Sequence, residues 1–306
     1  MSSLQRQFLV GVQRVLASAT VRVDRRLAPK PLPLQRRDFS LHHAYATQWQ
    51  EYPCVFVLST GRGGTETLTA LAELSPTILA SHEPRPRLIK ASFDAYLAGA
   101  DVSEQSHWRD IVLAARDDLV WAATRQGRVY VETNNRLTYL APVLAEVFPA
   151  SRFIHVYRDP FAFVRSAMRR RYFDGHNWDF ARVRPRPADP LSERWDSLSR
   201  LECCAWLWWR TNHDARAWMA TLPASRSLSL RSEDLFASSP QALSGLYGIC
   251  ESEVPAPARI ADVLGAKLNA QEHGDFPKAS QWSAEDRERV WAYVGDLATE
   301  LGYGKP

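Results

Sequence analysis

The chain has 306 residues, an ordinary apolar content and a formal net charge of +4, which comes largely from arginine. Its length allows one large core or two smaller ones. No run of about twenty apolar residues occurs, so a membrane-spanning helix is not expected. The four cysteines lack zinc-ligand spacing and two are adjacent, so a reduced, cytosolic setting fits best.

The first 50 residues differ in character from the rest. Residues 4–22 place their apolar side chains on one helical stripe, with arginines beside it and directly after it. A basic amphipathic helix can lie on an anionic membrane surface, and packing against the domain or another subunit is the simpler alternative. Prolines at 29, 31 and 33 end the helix. Residues 1–50 are therefore predicted to be a helix and a proline-containing connector, ahead of a domain over 51–306.

From residue 51 onward, short apolar segments alternate with segments of helical periodicity. The predicted strands are residues 55–58, 77–80, 129–132, 153–157 and 227–230. Residues 192–222 are predicted to form a long helix whose tryptophans pack against the sheet, and 174–190 an exposed loop. This alternation predicts an α/β fold with a parallel central sheet flanked by helices. Ligands of such sheets bind at the carboxyl ends of the strands.

A glycine-rich segment follows the first predicted strand. Gly61, Gly63 and Gly64 surround Arg62, and leucines at helical spacing come next. Glycines let backbone N–H groups approach an oxyanion, and a helix N-terminus adds partial positive charge. The segment therefore predicts a phosphate-binding loop, and a plain strand-to-helix turn is the alternative.

A second informative segment follows the fourth predicted strand. Arg158 stands where that strand ends, Pro160 suits the first turn of a helix, and Ser166 lies two turns into it. Arg158 and Ser166 could together hold a second phosphate. The alternatives are a salt bridge between Arg158 and Asp159, and a Ser166 with no role.

Together these segments resemble the paired signatures of the PAPS-dependent sulfotransferase family, in the bacterial branch similar to tyrosylprotein and glycan sulfotransferases. Ser59–Thr65 resembles the 5′-phosphosulfate loop, and Arg158 with Ser166 has the spacing of the 3′-phosphate element. Ser229–Leu235 is similar to the family's strand ending in Glu-Asp-Leu, and residues 269–303 to its C-terminal segment. The likeness covers about residues 51–305.

The resemblance implies a P-loop NTPase-like sulfotransferase fold that uses PAPS as co-substrate, releases PAP and needs no metal. The loop lacks the Gly-Lys-[Ser/Thr] ending that serves Mg²⁺ in P-loop enzymes. Arg62 would stabilise the departing phosphate. Glu66 departs from the usual hydroxyl residue and is expected to point away or to pair with an arginine. The implied donor-binding residues are Thr60, Gly61, Arg62, Gly63, Gly64, Thr65, Glu66, Arg158, Ser166 and, less clearly, Lys278 or Lys267.

Sulfuryl transfer to a hydroxyl also needs a base. The resemblance implies Glu83, which follows the second predicted strand at a carboxyl end expected beside the first strand. An exposed loop carboxylate without a role is the alternative, and His82 is the second candidate, as base or as a group that orients the acceptor. Asn134 cannot act as a base. Glu132 could contact the substrate or pair with Arg136.

No residue pattern identifies the acceptor. A glycan or glycolipid hydroxyl is favoured, followed by a small alcohol or phenol; a nucleic acid is not expected. Trp178 could stack on a sugar, and Arg169–Arg171 could attract an anionic acceptor or form a solvated basic face. A cytoplasmic location, peripheral on the inner membrane face if the N-terminal helix binds lipid, is expected. A kinase-like nucleotide phosphotransferase and a non-catalytic PAPS- or PAP-binding module are the alternatives.

Overall fold

A computed structural model describes residues 53–99, 106–266 and 275–305. The predicted N-terminal helix and connector, their boundary with the domain, and Lys267 lie outside these ranges. Within them, no helix has both the length and the apolar character needed to cross a membrane.

The core of the fold is a parallel five-stranded sheet. The strands are β1 (Cys54–Ser59), β2 (Ile78–His82), β3 (Val129–Thr133), β4 (Arg152–Tyr157) and β5 (Ser227–Arg231). They lie in the order β2-β3-β1-β4-β5, and all four neighbouring pairs are parallel. The central strand β1 is buried along its whole length, as its unbroken apolar sequence predicts. The predicted α/β class with a parallel central sheet is confirmed.

Helices cover both faces of the sheet. They are α1 (Thr65–Ala72), α2 (Ile89–Ala98), α3 (Ser106–Thr124), α4 (Ala141–Val147), α5 (Pro160–Arg169), α6 (Arg200–Met219), α7 (Ser232–Phe236), α8 (Pro240–Ile249), α9 (Pro257–Gly265) and α10 (Ala284–Glu300). Successive side chains of a strand point to opposite faces. Phe56 and Leu58 accordingly pack with α3 and α4, whereas Val55 and Val57 pack with α1 and α8.

The long helix α6 begins eight residues later than the sequence predicts. Residues Pro190–Ser197 form a 3₁₀ helix, and Ser199 then caps α6. The Ser199 hydroxyl accepts from the Glu202 N–H, and the Glu202 carboxylate accepts from the Ser199 N–H at 2.8 Å. This reciprocal capping satisfies the backbone N–H groups at the start of a helix. α6 therefore begins after Ser199 and does not continue from the 3₁₀ helix.

The tryptophans of this region pack the interior, as predicted. Trp195, Trp206 and Trp208 are buried in one cluster with α5 and α10, and Trp209 packs against that cluster. Trp218 packs on the other sheet face and meets Phe153 edge-on. All four cysteines are buried and free.

Candidate functional site

The loop between β1 and α1 has a backbone shape that suits an anion. Gly61, Arg62 and Gly64 have φ angles of 72°, 58° and 78°. A Cβ atom at Gly64 would lie 2.6 Å from the ring of Phe236, and the positive φ there also favours glycine. Left-handed residues within such a loop can turn successive N–H groups toward one point, and α1 starts directly afterwards. The loop therefore has the features of a phosphate cradle.

The segment after β4 lies directly against this loop. The Arg158 guanidinium donates to the carbonyl oxygen of Arg62 at 3.1 Å, and Arg62 Nε donates to the Ser166 hydroxyl at 3.1 Å. The pairing of β1 with β4 brings the two segments together across about a hundred residues of chain. Asp159 caps α5 by accepting from the Ala162 N–H at 2.7 Å. The expected proximity of Arg158 to the glycine loop is confirmed.

The end of β5 and the C-terminal segment contact the start of α5, next to Arg158. Glu233 accepts from the Asp159 N–H at 3.0 Å and from the Tyr303 hydroxyl at 2.8 Å. The Arg231 guanidinium lies 4.4 Å from the centre of the Tyr303 ring. The sequence indicates no structural role for the end of β5 or for the C-terminal segment. In the structure, both contact the start of α5 and so help to position Arg158 and Ser166.

A cavity of about 480 Å³ opens at the carboxyl edge of the sheet. Its walls include most of the predicted site residues: Gly61, Arg62, Gly64, Thr65, Glu66, His82, Glu83, Arg158 and Trp178. Four other predicted donor-binding residues lie outside this lining, and one of them, Ser166, accepts the hydrogen bond from Arg62 Nε. Thr60 is buried and donates to the Gly61 carbonyl at 2.8 Å, Gly63 packs near Val156, and Lys278 is exposed. Their contact with a ligand stays a prediction.

Glu83 and His82 reach the cavity from the end of β2. The prediction that this end lies beside β1 is wrong, because β3 pairs with both and separates them. The Glu83 N–H donates to the Thr133 carbonyl at 3.0 Å, while its side chain is 38% exposed and its carboxylate lies 3.9 Å from Arg87 Nε. His82 Nδ1 lies 2.8 Å from the Thr133 hydroxyl.

Glu132 has neither of the roles that the sequence suggested. It is fully buried and pairs with Arg116, whose guanidinium donates to its carboxylate at 2.8 Å. Asn134 donates to the same carboxylate at 3.1 Å, and its own oxygen accepts from the Arg136 N–H. Sequence reasoning missed Arg116 because a single arginine in an amphipathic helix looks like a surface residue.

Positive charge dominates the cavity. Arg62, Arg87, Arg136, Arg158 and Arg170 line it, against the carboxylates of Glu66 and Glu83. Burial, followed by the charge of Arg170, lowers the pKa of Arg62, while the Glu66 carboxylate raises it. Among the described residues, no ion pair joins Glu66 to an arginine. Buried guanidinium groups favour an anionic ligand at this edge of the sheet.

The segment after α5 closes one side of the cavity and was predicted to be merely exposed. Arg182 is instead buried, with its guanidinium 3.4 Å from the centre of the Tyr172 ring and 2.6 Å from the Asp179 carboxylate. This arrangement holds His176 and Trp178 at the cavity. The arginine-rich composition was the only sequence signal, and it does not reveal which arginines turn inward.

Comparison with known proteins gives one family. The family model described as "Sulfotransferase family" matches residues 53–256. No curated protein matches the chain. Similar solved structures include the sulfotransferase domain of the Synechococcus PCC 7002 olefin synthase (15% identity, TM-score 0.48, covering 83% of this chain and 96% of that one). The sulfotransferase domain from the curacin biosynthetic pathway (13%, 0.49, 84% and 100%) and sulfotransferase STF9 from Mycobacterium avium (12%, 0.45, 85% and 81%) are others.

The family match extends over more than half of the chain and includes the glycine loop, Glu83, Arg158 and Ser166. It agrees with the P-loop-like sulfotransferase fold that the resemblance implies. The chain belongs to the sulfotransferase family.

Proposed function

We propose that the protein moves a sulfuryl group from PAPS to an acceptor hydroxyl. One observation carries the proposal: hydrogen bonds join Arg62, Arg158 and Ser166, so the two segments that resemble the family's phosphate-binding elements lie side by side. A ligand with phosphate groups at two positions fits such a site better than a ligand with one phosphate chain.

The donor would bind through the loop and the start of α5. PAPS supplies the sulfuryl group at its 5′ end and a separate 3′-phosphate. Backbone N–H groups of residues 61–66, with the Thr65 hydroxyl, would hold the 5′ end, while Arg158 and Ser166 hold the 3′-phosphate. Arg62 would stabilise negative charge on the departing phosphate oxygen. Through its hydrogen bond to Ser166, Arg62 would also connect the two proposed phosphate positions.

Glu83 would activate the acceptor. As the acceptor oxygen forms its bond to sulfur, the bond between sulfur and the 5′-phosphate oxygen breaks, PAP leaves, and the hydroxyl proton passes to the Glu83 carboxylate. The partial exposure of this carboxylate and its long separation from Arg87 leave an oxygen free to accept that proton. His82, held at Thr133, would orient the acceptor or act as base in place of Glu83.

A glycan or glycolipid hydroxyl is the favoured acceptor, ahead of a small alcohol or phenol. The indole of Trp178 at the cavity provides a flat surface on which a sugar ring could stack. Two alternatives remain, a kinase-like phosphotransferase and a module that binds PAPS or PAP without turnover. Each predicts a different pattern of nucleotide binding and turnover.

The nucleotide preference tests the donor site. Isothermal titration calorimetry should show tighter binding of PAP than of ADP, because only PAP carries the 3′-phosphate. Arg158→Gln should weaken PAP binding about tenfold to a hundredfold by removing a charge-assisted hydrogen bond, and should leave ADP binding nearly unchanged. Equal affinity for PAP and ADP would remove the assigned roles of Arg158 and Ser166 and favour the kinase-like alternative.

The Glu83→Gln variant tests the base. Turnover of labelled PAPS with a panel of hydroxyl acceptors should fall by about a hundredfold or more, with PAP affinity retained. Glu73→Gln, at an exposed carboxylate directly after α1, is the matched control and should keep full activity. An undiminished rate for Glu83→Gln would refute its role as base. Nucleotide binding without turnover of any acceptor would support the binding module.

A further inference from the structure

The side chain of Arg136 is placed for a ligand rather than for the fold. Arg136 follows β3, lines the cavity, and lies in the electrostatic neighbourhood of Glu83, Arg87 and Tyr172. Its backbone N–H donates to the Asn134 side chain, and within the described ranges its guanidinium forms no side-chain hydrogen bond and no ion pair. Arg116 occupies the carboxylate of Glu132 that could have paired with it.

The guanidinium is partly buried in the cavity wall and, among the described residues, has no anionic protein partner there. Burial, followed by repulsion from other arginines, lowers the pKa of Arg136, so an anion bound beside it would stabilise its charge. The other arginines of the cavity have contacts of their own. Arg87 lies 3.9 Å from the Glu83 carboxylate, Arg158 donates to the Arg62 carbonyl, and Arg62 donates to Ser166, where the PAPS donor is proposed to bind. A positive charge beside the candidate base is thus left for a further anion.

His176 adds a neutral donor to the same cavity. Its Nδ1 accepts from the Trp178 N–H at 3.2 Å and lies 3.0 Å from a nitrogen of Arg182, which can only donate. The ring proton therefore sits on Nε2. Burial, followed by the charge of Arg182, lowers the pKa of His176, in agreement with an Nδ1 that accepts hydrogen bonds. A guanidinium with an N–H donor in the same wall suits the oxygens of a carboxylate or a phosphate.

We propose that the acceptor is an anionic hydroxyl compound whose carboxylate or phosphate group binds Arg136, beside the hydroxyl that Glu83 deprotonates. The inference rests on the proposed function and makes its acceptor class specific. An acidic sugar combines the required groups, because Trp178 can stack on its ring while Arg136 binds its anion. Neutral sugars and simple alcohols would lack the contact that offsets the burial of this cation.

Binding to the PAP-saturated protein tests the inference without turnover. Phenyl β-D-glucuronide, phenyl β-D-glucoside 6-phosphate and neutral phenyl β-D-glucoside can be titrated by calorimetry. At least one anionic probe should bind ten or more times tighter than the neutral one, and the stronger of the two identifies the anion. Arg136→Gln should abolish the preference, and Arg136→Lys should keep part of it. Arg125→Gln, at an exposed arginine beyond α3, should keep all of it.

Several results would overturn the inference: no binding of either anionic probe, equal binding of anionic and neutral probes, or an unchanged preference in Arg136→Gln. A tenfold loss of PAP affinity in Arg136→Gln would also overturn it, by assigning Arg136 to the donor. In turnover assays, Arg136→Gln should raise KM for anionic acceptors with little change in kcat. Glu83-dependent sulfation of neutral acceptors alone would remove this inference and leave the proposed function standing, whereas failure to bind PAP would remove both.

Discussion

The buried pair of Arg116 and Glu132 gives the strongest stability prediction. Both side chains are fully inaccessible to solvent, and the Glu132 carboxylate also accepts from the Tyr130 hydroxyl at 3.0 Å. Arg116→Met would leave that carboxylate buried without its cation. Removing one partner of a buried pair costs about 3–5 kcal/mol of unfolding free energy. For a domain of this size, that corresponds to a midpoint lower by about 6–20 °C.

The same variant should impair activity more than nucleotide binding. Arg116 also donates to the Pro86 carbonyl at 3.0 Å and so holds the segment that follows Glu83. The glycine loop makes no hydrogen bond with Arg116 in the described residues. Arg116→Met should therefore lower kcat, measured below the unfolding transition, while PAP affinity stays within about threefold of the unmodified protein, a difference of about 0.7 kcal/mol.

Urea and thermal unfolding provide the measurement, with Arg125→Gln as an exposed control for the loss of one positive charge. The double variant Arg116→Met/Glu132→Gln removes both charges and keeps hydrogen-bonding atoms for Tyr130 and Asn134, so it should be more stable than Arg116→Met alone. A loss below about 1 kcal/mol for Arg116→Met would refute the reasoning, since that is the scale of an exposed pair. A double variant no more stable than the single one would contradict it as well.

Two further predictions concern the loop and the pH dependence of stability. Gly64→Ala should weaken PAP binding and lower the free energy of unfolding by about 1–3 kcal/mol, because the residue has a φ of 78° and its Cβ would meet the Phe236 ring. Adding Phe236→Ala should recover only the part of this loss that is due to the clash with the ring. Full PAP affinity in Gly64→Ala would contradict the prediction. Burial lowers the pKa of His155 from 6.5 to about 4, although Asn212 partly opposes the shift. The unfolded chain then binds a proton that the folded state does not, so stability should fall by up to about 3 kcal/mol as pH drops from 6.5 to 4. The unfolding free energy of His155→Gln should not show this pH-dependent loss between pH 6.5 and 4. The same dependence of unfolding free energy on pH in the variant would exclude His155 as the cause of the loss.

Much of the fold was predictable because its signals are local. The strands β1 and β4 are short apolar runs with few alternatives, and helical periodicity separates them from each other. Gly61 and Gly64 stand where the chain needs left-handed backbone, which a sequence signals directly through glycine. The family resemblance then gave a reason to join Arg158 to the loop.

Other features depended on which segments become neighbours. The order of the strands placed β3 between β1 and β2, so Glu83 reaches the cavity from farther along the sheet than its sequence position suggested. The helical sequence pattern extends on both sides of Ser199. The cap at Ser199 interrupts it, so the residues before the cap form a separate 3₁₀ helix.

The sequence by itself determined the parallel α/β class, the glycine loop and the spacing of Arg158 and Ser166, since each follows from the order of residues along one segment. Only the tertiary structure decided the partners of the charges. It pairs Glu132 with Arg116, buries Arg182 against Tyr172 and places Arg136 at the cavity. Charge pairing depends on distance and burial between elements remote in the chain, and neither quantity is set by the sequence around a residue.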